Sequence, residues 1–276
     1  LPGVTNPAAL VDCNRVVNFL KSDAHGRQYA RNKGGTNQAL QNFIVPTQGG
    51  GDAQRVIFLV GFFLIIFGLI NGALEIVKET AIYQRERAVN LGLLPYMFSK
   101  IFVLGLFALL QSILMLLVVQ AFEPLSQGVF LPVFLEIYIT LALVALSGVM
   151  FGLLLSSISS NEDTANNLLP LIIIPQVILS GSIIPLKDWS TLVLATIVPI
   201  RWALIAIGSS LGLHSDKIDG SKLFGDDPVY HGTLFSIYSS SDATHRILLA
   251  WGALAAIILI LTLIVGFFLK RKDIRS

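Results

Sequence analysis

Six of the thirteen residues at 75–87 carry charge: Glu75, Lys78, Glu79, Arg85, Glu86 and Arg87. This is the densest ionic cluster in the chain, and apolar runs at 56–74 and 101–121 flank it. An isolated charge at the centre of a bilayer costs about 2.5–3.5 kcal/mol on insertion scales, so the cluster must reach water at the end of two spans. Glu75, Lys78 and Glu79 stand one helical turn apart, which gives a helix an ionic face. Ile76, Ile82 and Tyr83 supply an apolar side. The chemistry on offer is ion pairing: a short amphipathic element held between two spans can carry force from a soluble partner into the membrane. The plainer alternative is a solvated loop that obeys the loop-charge rule, and composition alone favours it.

Few other residues offer chemistry. His25, His214, His231 and His245 lie outside the apolar runs and form no His-Glu-x-x-His pattern, so no metal site is expected. Cys13 is the single cysteine, which rules out a disulfide within the chain. No residue is assigned a catalytic role. Polar groups inside apolar runs are functional candidates by default. Gln111, Asn167 and Gln176 qualify, with interhelical hydrogen bonding, worth about 0.6 kcal/mol each, as the plainer reading. Glu136 falls six residues into its run, about 9 Å along a helix. There it is either hydrated near the outer surface or turned into a cavity. Phe63 and Phe67 are candidates to line such a cavity, and Pro170 and Pro175 are expected to bend their helix.

The elements that position these residues are membrane spans. Hydrophobic residues make up 54% of the 276-residue chain and charged residues 13%, against about 25% charged in a soluble domain. A net charge of +2 without a basic stripe excludes nucleic acid as a partner. Five apolar runs approach the roughly 20 residues a span needs: 56–74, 101–121, 130–155, 165–184 and 247–269. A sixth, 192–207, is interrupted by Pro199, Arg201 and Trp202 and reads as re-entrant. Basic residues flank the first two runs (Lys78, Arg85, Arg87, Lys100) and follow the last (Lys270, Arg271, Lys272, Arg275), which predicts that both regions are cytoplasmic. That leaves the polar segment 1–55 outside, with Gly49-Gly50-Gly51 as a linker and 56–276 as the membrane domain. The basic residues within 1–55 run against the same rule. The chain begins at Leu1, and the expectation is a piece of a longer polypeptide.

Two stretches resemble a known family. The first runs Glu75-Ile76-Val77-Lys78-Glu79, Ile82-Tyr83, Arg85-Glu86-Arg87 and then 94–100, Leu-Pro-Tyr-Met-Phe-Ser-Lys. The second joins Ser180-Gly181 and Pro185 to Trp189 and Pro199-Ile200-Arg201-Trp202-Ala203. In this order they are similar to the membrane domain of G-subfamily (white-type) ABC transporters over roughly 56–272.

The resemblance implies an all-α, type-2 exporter-like domain holding the second to sixth spans, the first lying upstream. It implies that Glu75, Lys78, Glu79, Tyr83, Arg85, Glu86 and Arg87 contact a nucleotide-binding domain, fused or separate. It also implies that Ser180, Gly181, Pro185 and Trp189 belong to a re-entrant segment and that 208–246 is an external loop. That loop lacks the cysteines of many eukaryotic members, which suggests a bacterial relative in the plasma (inner) membrane. ATP and Mg would be held by the partner domain: the chain contains no Gly-Lys pair from which a phosphate-binding loop could be built. Leu179-Ser180-Gly181-Ser182 is no signature loop, since it lies in an apolar stretch and lacks the second Gly and the Gln.

The resemblance thus implies the permease part of an ATP-driven exporter of amphipathic or lipid-like substrates. It would work as a homo- or heterodimer in the lipid bilayer, since one domain holds at most half a cavity. The alternative is a non-transporting polytopic subunit that docks a cytoplasmic partner.

Overall fold

The computed structural model describes residues 21–22, 27–28, 30–31, 36, 49–88, 92–122, 128–182, 189–211 and 243–273. The regular structure among them from 49 onward is helical: α1 (Gly49–Ala73), α2 (Glu75–Lys78), α3 (Thr80–Ala88), α4 (Leu93–Phe122), α5 (Val133–Ile158), α6 (Glu162–Ile178), α7 (Trp189–Ala195), α8 (Pro199–Ser210) and α9 (Ala243–Asp273). The expected external loop 208–246 begins within α8 and ends within α9; its middle, 212–242, and nearly all of 1–48 fall outside the described residues.

Four stretches are long and apolar enough to cross a membrane: Arg55–Lys78, Leu93–Phe122, Val133–Ile158 and Ala243–Arg271. The remaining expected span, 165–184, is shorter as a helix than its apolar run. Asn161 caps α6 by accepting from the Thr164 N–H at 2.8 Å, so the helix starts at Glu162. It stops at Ile178, three residues past Pro175, and Gly181 then takes φ 78°, a left-handed conformation that favours glycine. Its 17 residues cover about 26 Å at 1.5 Å per residue, just under the roughly 30 Å of a hydrocarbon core. Hydropathy misses this end because Leu179, Ile183 and Ile184 keep the stretch apolar on average across Ser180, Gly181 and Ser182. The glycines at 49–51, expected as a linker, belong to the start of α1.

The run 192–207 divides into α7 and α8 at a turn closed by Trp202, whose Nε1–H donates to the Thr196 carbonyl at 2.8 Å. Pro199 opens α8, where its missing N–H costs nothing. The 12 residues of α8 are too few to cross a membrane, and Ala203 to Ser210 are all buried.

The core forms around α5. Within its most apolar stretch 72% is buried, against 28% for α4 and 22% for α9. It packs on α1, α4, α6, α8 and α9, most extensively on α1. Glycines make that contact possible. A β-carbon on Gly68 would lie 2.6 Å from the Ala145 carbonyl oxygen, and one on Gly72 would lie 2.6 Å from that of Val149. One on Gly148 would lie 2.5 Å from the Ile65 carbonyl oxygen, and one on Gly152 would collide with that of Leu69. Gly68 and Gly72, like Gly148 and Gly152, are four residues apart. Two small-xxx-small faces therefore meet backbone to backbone, the packing that serves where lipid removes the hydrophobic drive between helices.

The charged connector and the basic end of α9 occupy the same end of the bundle. Gly266 of α9 packs near Met97 of α4, with the Met97 Sδ 3.6 Å from where a Gly266 β-carbon would sit. Lys270 and Arg271 are exposed just beyond it. At the opposite end Trp251 donates to the Thr140 hydroxyl at 2.9 Å and meets the Phe130 ring edge-on at 5.7 Å.

Gly72→Ala and Gly148→Ala should each destabilise the protein by about 1–3 kcal/mol through backbone overpacking. Gly252→Ala, where nothing lies within 4 Å, should be neutral. Apparent melting temperatures of the three variants in one detergent check this; equal values for all three would contradict the packing.

Candidate coupling site at the charged end of the bundle

The connector splits at Leu74 and Glu79 into α2 and α3. At Leu74 the α1 hydrogen-bond ladder breaks, and the N–H groups of Ile76 and Val77 both donate to the Ser156 hydroxyl of α5 at 2.9 Å. Thr80 caps the other end of α2 by donating to the carbonyls of Ile76 and Val77 at 3.1 and 3.0 Å. Every polar backbone group named here has a partner, as burial demands.

One lysine on α4 gathers the carboxylates. Lys100 Nζ lies 3.0 Å from Glu75 Oε1 and 2.6 Å from Glu79 Oε2. Its side chain is 15% exposed, so these pairs are better shielded than surface pairs. Tyr83 of α3 is buried against Tyr96 of α4 with ring centroids 4.6 Å apart, and Lys100 stands 5.8 Å above the Tyr96 ring. The connector is therefore tied to α4 by charge and aromatic contact and to α5 by Ser156.

Among the cluster's other described side chains, Lys78, Arg85 and Glu86 turn outward. Lys78, Ile82, Arg85 and Glu86 are exposed and follow one helical face at spacings of four, three and one. Ile82 was expected on the apolar, inward side; it is 55% exposed instead, and Ile76 and Tyr83 fill the interior. Arg87 lies on α3, and the placement of its side chain is outside the described residues.

The expected cavity residues separate into two groups. Phe63 and Phe67 are half-exposed on one face of α1, their rings stacked at 6.4 Å. Asn167 is exposed on α6, which packs on α1. These three lie on adjacent helices and face out of the chain. Asn71, one turn beyond Phe67, is exposed as well and was not singled out from the sequence. Gln111 is half-buried on α4 and Gln176 is buried on α6.

Glu136 occupies neither of its expected positions. It is fully buried, and its Oε1 accepts from the N–H groups of Phe130 and Leu131 at 2.9 Å and of Val129 at 3.1 Å. A carboxyl oxygen that accepts from three backbone N–H groups at a helix start is well satisfied, and here it fixes the turn that leads into α5. Ser180 is buried and donates to the Val177 carbonyl at 2.9 Å, and Gly181 supplies the turn after α6. Trp189 opens α7, its side chain outside the described residues, as is Pro185 altogether. The described residues hold no group of three or more His, Cys, Asp or Glu able to bind a metal.

Removing Lys100 should cost about 2 kcal/mol, between the roughly 1 kcal/mol of an exposed pair and the about 3–5 kcal/mol of a buried pair broken on one side. The double variant Lys100→Ala/Glu79→Ala should recover part of that loss. A double-mutant cycle in thermal stability measures it, and strict additivity would deny the contact.

Residues 29–211 match the family described as ABC-2 type transporter. The match begins inside the polar segment upstream of α1, runs through the connector and ends after α8. The chain is also 26% identical over 191 residues to the ABC transporter ATP-binding/permease protein Rv1747 of Mycobacterium tuberculosis, a match that covers 66% of this chain and 22% of that protein. The chain thus spans well under half of that relative, whose printed description joins an ATP-binding part to a permease part. With a helical membrane bundle, a charged connector and a family match over most of its length, the chain belongs to the ABC-2 type transporter family, as a membrane permease component.

Proposed function

We propose that the chain is the permease of an ATP-driven exporter and that α2–α3 is the element through which a nucleotide-binding domain moves it. The observation that carries this reading is the two-sided connector. Its inner side is fastened to α4 and α5 by Lys100, Tyr83 and Ser156, while its outer side presents Lys78, Ile82, Arg85 and Glu86 to a soluble partner. A solvated loop would have no need of the inner fastening.

ATP and Mg belong to the partner domain in this reading, and the fused relative supports such a pairing. The partner's closure on ATP favours one state of the bundle by making different contacts with α3 in the two states. The fifth crossing is α6, extended by the turn that follows it. The basic ends of the connector and of α9 then lie in the cytoplasm of a bacterial cell, with the bundle in the inner membrane. The G-subfamily resemblance extends this to a dimer, homomeric or heteromeric, whose copies enclose a cavity. Phe63 and Phe67 of α1 with Asn167 of α6 make a mostly apolar wall with one amide, suited to an amphipathic or lipid-like substrate. A subunit that only docks a partner remains the second reading; it shares the outer face of α3 but needs no outward-facing cavity wall.

ATP hydrolysis by the permease in nanodiscs, together with its ATP-binding domain, tests this. A fluorescent short-chain phospholipid should change the hydrolysis rate in the wild type. Glu79→Ala should keep basal hydrolysis and lose at least half of that response. Phe67→Ala should raise the phospholipid concentration needed for half the effect several-fold. Unaltered behaviour in both variants would contradict the assignment.

A further inference from the structure

The glycine seam between α1 and α5 has a third member. Gly148, Gly152 and Ser156 follow one another at four-residue spacing on α5, and Gly68 and Gly72 do so on α1. Where the seam reaches Ser156, the α1 ladder stops. In an unbroken helix the N–H groups of Ile76 and Val77 would bond to the carbonyls four residues back, those of Gly72 and Ala73. Instead both point at one hydroxyl oxygen on the neighbouring helix, and that serine is fully buried. A residue larger than glycine at 72 or 152 would hold the helices too far apart for this bond. A residue without a hydroxyl at 156 would leave two buried donors without their acceptor.

We propose that Ser156 is the positioning residue that joins the connector to the α1–α5 pair, so that a displacement of α2–α3 is delivered to both helices together. This inference rests on the transporter reading above for the source of the displacement, but not for the joint itself. The joint is specific to one hydroxyl. Ser157, the next residue, donates only to the Leu154 carbonyl of its own helix at 2.7 Å, and Ser147 likewise to Val144. Lys100 provides the separate attachment to α4. The two fastenings differ in kind. The ion pair tolerates a change of distance, whereas two directional hydrogen bonds to a single oxygen fix both position and direction.

Hydrogen exchange of the whole transporter in nanodiscs, with its ATP-binding domain, tests the joint. At rest, the amides of 74–80 should exchange about tenfold or more faster in Ser156→Ala than in the wild type. Ser157→Ala, a control of equal volume change, and Ser156→Thr, which keeps the hydroxyl, should match the wild type. When ATP and vanadate are added, exchange should change at both 74–80 and 148–153 in the wild type and in Ser156→Thr. In Ser156→Ala it should change at 74–80 alone.

Equal resting exchange in Ser156→Ala and wild type, or an equal rise in Ser157→Ala, would overturn the proposal. So would wild-type amides at Ile76 and Val77 that exchange as fast as exposed loop amides, a result that needs no variant to fold. A wild type whose exchange ignores ATP would count against the transporter reading instead, and the joint would stand or fall on the resting data.

Discussion

Four glycines set how closely α1 and α5 approach, and the geometry of the charged end follows from that separation. With no β-carbons between them, the two backbones run in contact for more than a turn. This brings the end of α5 under the point where the chain leaves its first described span. There the chain must turn from apolar to charged sequence, and a turn in a helix releases backbone donors that have no water to accept them. A serine on the adjoining helix accepts both. A membrane bundle built on bulkier side chains would need another solution at that corner.

The second constraint is charge. Glu75 and Glu79 follow directly on the apolar part of α1, where unpaired carboxylates are costly, and Lys100 satisfies both from the first turns of α4. The connector is thereby closed on itself: it leaves the bundle at Leu74, turns, and is tied back at Tyr96 and Lys100. Among the described side chains, what remains exposed is a short face with Lys78, Ile82, Arg85 and Glu86. A rigid inner side with a mixed charged and apolar outer side is what a mechanical contact with a soluble domain requires.

Much of this was legible in the sequence, but unevenly. Four of the five expected spans and the charged connector followed from hydropathy and charge, because both are properties of consecutive residues. Pairings between helices did not follow. Lys100 was read only as a flanking positive charge, since nothing local says that it reaches back 25 residues to Glu75. The two Gly-x-x-x-Gly patterns were written in the chain and went unread; even when noticed, each names a face without naming its partner. Glu136 was expected to be hydrated or turned into a cavity, but its three backbone donors precede it in an irregular turn that no periodicity reveals. The end of α6 was set too far along because a left-handed glycine, not a change in hydropathy, terminates that region.

The outer face of α3 is proposed to meet an ATP-binding domain. A photo-reactive amino acid placed at Glu86, exposed on that face, measures this directly when cross-linked products are identified by mass spectrometry. A second probe at Phe122, exposed at the far end of α4, serves as the reference. The Glu86 probe should capture an ATP-binding domain, and the Phe122 probe should not. Capture from neither position, or equal capture from both, would contradict that contact.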